Sequence, residues 1–452
     1  MGKATAWRCA KESLGTSMKI LLFENNYSSN LFRGALAHAF PGDRVVGISE
    51  YRGKSDVWIG SYLYDDSYDG DCGLDDAALH DIVSRDRSLN QMSEQRAMRI
   101  VKRYWNGLEK LFAHEGFDLV VSVALDRYGE DVLFRMAQEN GVPIMAPCGS
   151  FLKNYVWFTE RGERQPIGRV VGNEEIDRVI SELTRDDYLP ASEWLNVRTN
   201  HKNIKKYYYR RMLVERVYYP IKKLLDRDPD NHQYNSYLVK GHSFREYYNR
   251  SLDDIFVHSA DLVIDKENTV YMPLHFTPEA STSYWCDEVV QKGYLNYVLS
   301  IVEGSDPSVT FLVKEHPAMY GKRLLGFYDE LKKRTNVTLV HPMDRSNELL
   351  NMVDNVLVDT GTVGVEALLR GKRVISLSDN YYSDLHPNIV RSGSVTREVL
   401  TNPLVEYDSR RFVGDLLGDY CIGDYFSGRG QEACSIEELA QNFLAFRDSH
   451  GL

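Results

Sequence analysis

Between Val309 and Asp359 three short apolar runs each break, at the C-terminal end, into polar residues. Val309–Lys314 runs into Lys314-Glu315-His316-Pro317, and Val337–Val340 into His341-Pro342. Asn355–Asp359 empties into Thr360-Gly361-Thr362-Val363-Gly364-Val365-Glu366-Ala367-Leu368-Leu369-Arg370-Gly371-Lys372. Continuous apolar runs of this length are what parallel strands buried on both faces require. In an open α/β sheet the carboxyl edge of the strands is where ligands bind. A strand, a Thr/Gly turn and a short helix bring backbone N–H groups and a positive helix end together, an arrangement suited to phosphate. The stretch therefore predicts a doubly wound sheet that holds a phosphorylated or nucleotide-linked substrate.

The same alternation recurs earlier. Lys19–Glu24 reads as a buried strand leading into Asn25-Asn26-Tyr27-Ser28-Ser29-Asn30, followed by a helix over Leu31–Ala39 and a strand over Arg44–Ile48. A long helical pattern covers Leu89–His114, and Leu119–Val123 is a strand ending at Asp126-Arg127-Tyr128-Gly129. A helix over Asp131–Asn140, stopped by Gly141, precedes a strand at Val142–Ala146. In the second half, strands over Thr269–Leu274 and Arg373–Leu377 complete the set, with helices over Asp287–Glu303, Arg323–Arg334, Ser346–Val353, Val363–Arg370 and Ile436–Phe446. Two doubly wound halves follow from this alternation, and a chain of 452 residues exceeds one ordinary core. The expected organisation is an extension over 1–17, a first domain over 18–173, a basic Tyr-rich helical insertion or linker over 174–258, a second domain over 259–400 and a helical tail over 401–452.

Charge and cysteines narrow the function. A net charge of -11 is unlike a general nucleic-acid binder, so no nucleic-acid partner is expected. No apolar run approaches the roughly 20 residues of a membrane span, and Met1–Ser17 has no secretory-signal pattern. Six scattered cysteines without CxxC spacing fit reduced thiols in a cytoplasmic protein and no zinc site. Asp65-Asp66-Ser67-Tyr68-Asp69-Gly70 echoes a calcium loop only loosely and reads better as a solvated acidic loop. Against the acidic background, Lys202, Lys205, Lys206, Arg210, Arg211, Arg216, Lys222 and Lys223 make a basic stretch, interleaved with tyrosines. It suits peripheral contact with an anionic membrane, or equally an ion-paired inter-domain helix.

The candidate site residues follow from the strand ends. Pro317 ends its strand and leaves His316 at the edge, where its ring can donate to a phosphate or a nucleotide carbonyl, beside Lys314. Gly361 permits close backbone approach, Thr360 and Thr362 offer hydroxyls, and Glu366, four residues on, suits the two hydroxyls of a ribose. The loop Pro273-Leu274-His275-Phe276-Thr277-Pro278-Glu279-Ala280-Ser281-Thr282 also leaves an apolar strand, and Glu279 there is a candidate general base. His275, Ser281 and Thr282 are candidate sugar contacts. In the first half, Asn25, Asn26, Ser28 and Arg127 suit a hydroxyl-rich acceptor, and Asp126 is a second candidate base.

These three motifs, in this order, resemble bacterial capsule and surface-polysaccharide biosynthesis proteins, a group similar to the capsule Kdo transferases, which use CMP-Kdo. The resemblance covers roughly a hundred residues of the second half. It implies a GT-B-like α/β fold, two Rossmann-like doubly wound domains facing a central cleft. It also implies a glycosyltransferase that needs no metal or other cofactor. Its partners would be a nucleotide sugar and a glycan or lipid-linked glycan acceptor of capsule or lipopolysaccharide synthesis, at the inner face of the cytoplasmic membrane. His316-Pro317 and Thr360-Gly361-Thr362 match the nucleotide and phosphate motifs of transferases that use CMP-activated acidic sugars. The Thr-Gly-Thr turn departs from their paired serines, which leaves the donor open. Two rival readings share the fold: a non-hydrolysing nucleotide-sugar epimerase, which needs no acceptor, and a non-catalytic glycan-assembly protein.

Overall fold

A computed structural model describes residues 17–24, 29–53, 55–63, 72–188, 213–226, 254–319, 323–424 and 434–452. The extension up to residue 16, the loop carrying Asn25, Asn26 and Ser28, the acidic stretch 65–70 and the basic positions 202–211 lie outside them. The described residues divide into two compact units.

Unit 1 begins with β1 (Lys19–Phe23), α1 (Ser29–Ala39), β2 (Arg44–Ser49) and β3 (Val57–Trp58). It continues through α2 (Asp76–Arg85), α3 (Glu94–Glu115), β4 (Leu119–Val121), α4 (Tyr128–Glu139) and β5 (Ile144–Met145). The sheet is wholly parallel, in the order β3-β2-β1-β4-β5, with Leu21 opposite Val46 on one side and Val120 on the other. Ile20, Leu21 and Leu22 are fully buried, which explains why the strand shows no alternation of polar and apolar residues. α3 starts later than the pattern predicts. The Asp86 carboxylate accepts the N–H groups of Ser88 and Leu89, each at 2.8 Å, and Leu89–Gln91 closes as a separate 3-10 turn. β6 (Pro147–Gly149) and β7 (Tyr155–Phe158), an antiparallel pair, were not anticipated from the sequence.

Unit 2 opens with α5 (Asn173–Thr184). Residues 174–258 are therefore not one insertion. α5 is tied into unit 2 by the Asp177–Arg410 ion pair at 2.8 Å and by Arg370 Nη1 donating to the Leu183 carbonyl at 3.2 Å. Farther along, Val257 bridges the sheet edge at Val340. Between these points Val214–Tyr218 forms a π-helical turn, and the chain runs on into α6 (Tyr219–Asp226), which is counted with unit 1.

The sheet of unit 2 follows as β8 (Thr269–Pro273), α7 (Asp287–Lys292), α8 (Tyr294–Gly304), β9 (Thr310–Lys314), α9 (Leu325–Lys332) and β10 (Val337–Val340). After them come α10 (Ser346–Met352), β11 (Asn355–Val358), α11 (Val363–Leu369), β12 (Arg373–Ser376) and β13 (Ile389–Arg391). All six strands are parallel, in the order β10-β9-β8-β11-β12-β13. In chain order that is 3-2-1-4-5-6, the doubly wound order of dinucleotide-binding sheets. The single helix expected over Asp287–Glu303 is two, because Gly293 takes φ +74°, a left-handed conformation that breaks the hydrogen-bond ladder. α12 (Arg397–Thr401) and α13 (Ser409–Leu417) close the unit.

The chain then returns to unit 1. β14 (Tyr420–Ile422) pairs antiparallel with β7, placing Cys421 opposite Val156. α14 (Ile436–His450) is started by Ser435, whose hydroxyl accepts the Glu438 N–H while the Glu438 carboxylate accepts the Ser435 N–H. Its Leu439, Ala440, Phe443 and Phe446 pack on Phe32, Ala35 and Leu36 of α1. The expected tail 401–452 is thus divided: residues to Leu417 stay with unit 2 and those from Gly418 rejoin unit 1. Apolar burial on both sides fixes the division.

Candidate functional site

In a sheet ordered 3-2-1-4-5-6 the winding reverses between the first and fourth strands, and a crevice opens at their carboxyl ends. In unit 2 those strands are β8 and β11. The loop after β8 carries His275 and the turn after β11 carries Thr360-Gly361-Thr362. A Cβ on Gly361 would lie 3.8 Å from His275 Cε1, so the fold brings these two predicted segments together. The Thr360 side chain is buried, and its Oγ1 has no hydrogen-bond partner among the described residues. Asp359, one residue earlier, is buried too. Its Oδ2 accepts the Tyr297 hydroxyl at 3.2 Å, while Oδ1 has no hydrogen-bond partner among the described residues. Two unmet buried oxygens at the switch point carry a desolvation cost that a donor from a ligand would relieve.

Burial lowers the pKa of the His275 imidazole; Asp359 opposes that shift and Arg323 adds to it. The ring is therefore neutral near pH 7, with one donor and one acceptor nitrogen. The same carboxylate helps burial push the Cys286 thiol up to about 12, which leaves that cysteine inert.

A staple that was not anticipated holds this edge. Arg323 and Glu315 are both buried, with Nε 2.5 Å from Oε2 and Nη2 3.0 Å from Oε1. Arg323 also donates to the His275 carbonyl at 2.8 Å and to Thr277 Oγ1 at 2.9 Å. Its guanidinium lies over the rings of Tyr294 and Phe327, and the Tyr294 hydroxyl accepts the His275 N–H at 2.7 Å. Glu315 in turn accepts the His316 N–H at 2.6 Å and the Tyr328 hydroxyl at 2.6 Å. One ion pair thus fixes the loop after β8 to the end of β9 and sets the backbone at His316. The His316 ring packs edge-on against Phe276, with centroids 5.9 Å apart. Lys314 is buried at the strand end.

The remaining predicted residues divide between display and support. Glu279 is exposed and accepts the Ser281 hydroxyl at 2.9 Å. Thr282 is buried and its hydroxyl is engaged within the turn, accepting the Glu279 N–H at 3.3 Å and donating to the Glu279 carbonyl at 3.0 Å. Thr362 opens α11 with helical backbone angles and makes no side-chain cap. Glu366 is buried, only 2% exposed. Gly364 is fixed by Tyr382: a Cβ there would stand 2.1 Å from the Tyr382 hydroxyl, which donates to the Gly361 carbonyl at 2.7 Å.

In unit 1, Asp126 is ion-paired with Arg87, and its other oxygen lies 3.7 Å from Arg127 Nε. Behind them Glu130 is buried, and its pKa rises to about 8. Burial is the main cause; Arg127 opposes it, while Glu50 and Asp126 add to it. At the β10 edge, His258, His341 and Asp344 gather potential metal-ligand atoms within 4.8 Å of one another. The His258 and His341 rings are stacked, with centroids 4.5 Å apart. His341 Nδ1 already accepts the Met343 N–H at 3.2 Å, and Asp344 accepts the Ser259 N–H at 2.6 Å. The cluster ties 254–261 to the sheet edge.

Fold and strand ends together define a two-unit, doubly wound α/β protein whose second sheet has its switch point at the carboxyl edge of β8 and β11. Residues 185–385, which hold that edge, match the family model described as capsule polysaccharide biosynthesis protein. The matched segment is somewhat under half of the chain's length. No curated protein matches the chain. Among solved structures it is similar to Thermosulfurimonas dismutans KpsC, a β-Kdo 2,7 transferase, at 11% identity and TM-score 0.37, over 96% of this chain and 100% of that one. It is also similar to a UDP-GlcNAc 2-epimerase from Neisseria meningitidis, at 13% identity and TM-score 0.27, over 94% and 98%. Likeness at that level carries no argument, and the fold stands on the strand orders above.

Proposed function

We propose that the chain is a glycosyltransferase of capsule synthesis that binds a nucleotide sugar at the carboxyl edge of β8, β9 and β11. The observation that carries this is the buried Thr360 Oγ1, without a hydrogen-bond partner among the described residues, next to Gly361, where a Cβ would lie 3.8 Å from His275. Thr360, Gly361 and Thr362 cradle the phosphate, and His316 beside Pro317 and Lys314 meets the nucleotide. Glu366 reaches a ribose only if that ribose lies directly over the first turn of α11. His275 and Ser281 face the sugar. Arg127 and the loop with Asn25, Asn26 and Ser28 serve the glycan or lipid-linked glycan acceptor from unit 1. A CMP-linked acidic sugar such as Kdo is the donor the resemblance favours. Peripheral contact with the inner face of the cytoplasmic membrane belongs to the same reading; no helix among the described residues is long and apolar enough to cross a membrane.

In the reaction the acceptor oxygen bonds to the anomeric carbon, the bond from that carbon to the phosphate oxygen breaks, and the electron pair stays on the phosphate. Oriented donors meet the charge that develops there, and the reading requires no metal. The acceptor proton passes to a carboxylate. Glu279 suits this better than Asp126, because Asp126 is already ion-paired with Arg87 while Glu279 is exposed. The test is nucleotide release from CMP-, UDP- and GDP-sugars, with and without an acceptor glycan. Transfer predicts acceptor-dependent release, and Glu279→Gln should slow it by about 10²-fold with nucleotide affinity unchanged. Turnover of the sugar without acceptor points instead to an epimerase. Glycan binding without any release points to an assembly protein.

A further inference from the structure

Residues 213–226 form a continuous helical segment, a π turn followed by α6. Pro220 accounts for the π turn: it has no N–H to give, and its ring crowds the carbonyl one turn back, so the preceding turn widens. Leu213, Val217, Ile221, Leu224 and Leu225 fall four, four, three and one residues apart, which places them along one face. These side chains are displayed rather than packed, with Leu224 at 79% and Leu225 at 67% exposure and the other three above half. Tyr218 is exposed beside them. Arg216, Lys222 and Lys223 fall outside the stripe. An apolar stripe left in water on a helix is an interaction surface rather than a core element.

We propose that this segment is an interfacial helix that lays its apolar stripe into the headgroup region of an anionic bilayer. The occupant follows from charge. In a chain of net charge -11, Glu215 is the one acidic residue between Lys202 and Lys223, a span that carries eight Lys or Arg. Such a span is drawn to the negative surface of an anionic bilayer. The helix is too short to cross a bilayer, which takes about 20 residues, so it lies on the surface. Tyr218 and Tyr219 have the amphipathic rings that settle at headgroup level. The purpose of the contact, bringing the enzyme to a lipid-linked acceptor, rests on the proposed transferase; the evidence for the contact does not.

The experiment is co-sedimentation of the full chain with vesicles of phosphatidylcholine alone or mixed equally with phosphatidylglycerol, at low and high salt. Two variants accompany the parent: Leu224→Asp with Leu225→Asp, and Arg216, Lys222 and Lys223 all changed to Gln. The Asp variant alters exposed positions and should keep the parent's melting temperature; Lys222 and Lys223 are half-buried, so the melting temperature of the Gln variant is measured beside it. The parent should pellet with anionic vesicles, and the Asp variant should lose at least about tenfold in partitioning. The Gln variant should lose the salt-sensitive part of the binding. The proposal is overturned if the parent ignores anionic vesicles at low salt or if the Asp variant pellets as the parent does. It is equally overturned if sedimentation without lipid shows a dimer that the Asp variant abolishes, since the stripe then faces a second copy. Nucleotide titration of the same three proteins separates this outcome from a failure of the transferase reading, because none of these changes touches the β8–β11 edge.

Discussion

At the residue scale the edge of unit 2 is organised by a pair whose own role is not chemical. Glu315 and Arg323 are both removed from water, and a buried pair is stable only if each remaining lone pair and N–H is met. Here Tyr328, the His316 N–H, the His275 carbonyl and Thr277 meet them. Removing one partner strands the other. Arg323→Met should therefore cost about 3–5 kcal/mol of stability, the range for breaking a buried pair, read from urea denaturation of the variant against the parent. The same change should loosen the backbone at His316 and His275 together. A loss under 1 kcal/mol would mean that the pair is solvated and not a staple.

At the element scale the parallel strands were legible in the sequence. Burial on both faces forces them to be continuously apolar, and each must end where the chain turns toward solvent. Val337–Val340 was read at its observed bounds, and the edge positions His275, His316 and Thr360 to Thr362 followed from the breaks. What was not legible depends on partners far along the chain. Nothing local in Tyr420–Ile422 announces its pairing with Tyr155–Trp157, so β14 and the divided tail went unseen. Glu315 reads as one more polar residue at a strand end, because Arg323 becomes its partner only when α9 packs on β9. Gly364 belongs to the same class: its need to be glycine comes from Tyr382, eighteen positions away. Gly364→Ala would put a methyl group 2.1 Å from the Tyr382 hydroxyl. Displacing that ring should cost about 1–3 kcal/mol in thermal or urea unfolding and release the Gly361 carbonyl. An unchanged melting temperature would show that the turn after β11 has slack.

At the scale of the whole molecule, two buried groups give the stability a defined pH dependence. Glu130 in unit 1 keeps its proton in the folded state up to about pH 8, whereas the unfolded chain releases it near 4.5. The folded state then binds the extra proton between these values, so its contribution is complete below pH 4.5 and is lost as pH rises through 8. His386 in unit 2 behaves oppositely: burial lowers its pKa from 6.5 to about 4, so stability present above pH 6.5 is lost as pH falls through 4. Glu130→Gln should flatten the alkaline side of the profile by on the order of 2–4 kcal/mol between pH 5 and 8, at 1.36 kcal/mol per unit. Urea unfolding at the two pH values checks this; an unchanged slope would place the proton elsewhere. The central claim, however, concerns unit 2: that its switch point, β8 to β11 with the end of β9, binds a nucleotide. Isothermal titration of CMP, CDP, UDP and GDP into the parent, His316→Ala and Thr360→Val tests it directly. The account predicts that one nucleotide binds the parent and that each variant loses about 1–3 kcal/mol of affinity while keeping its fold. A parent that binds none of the four, or variants that bind as the parent does, would contradict it.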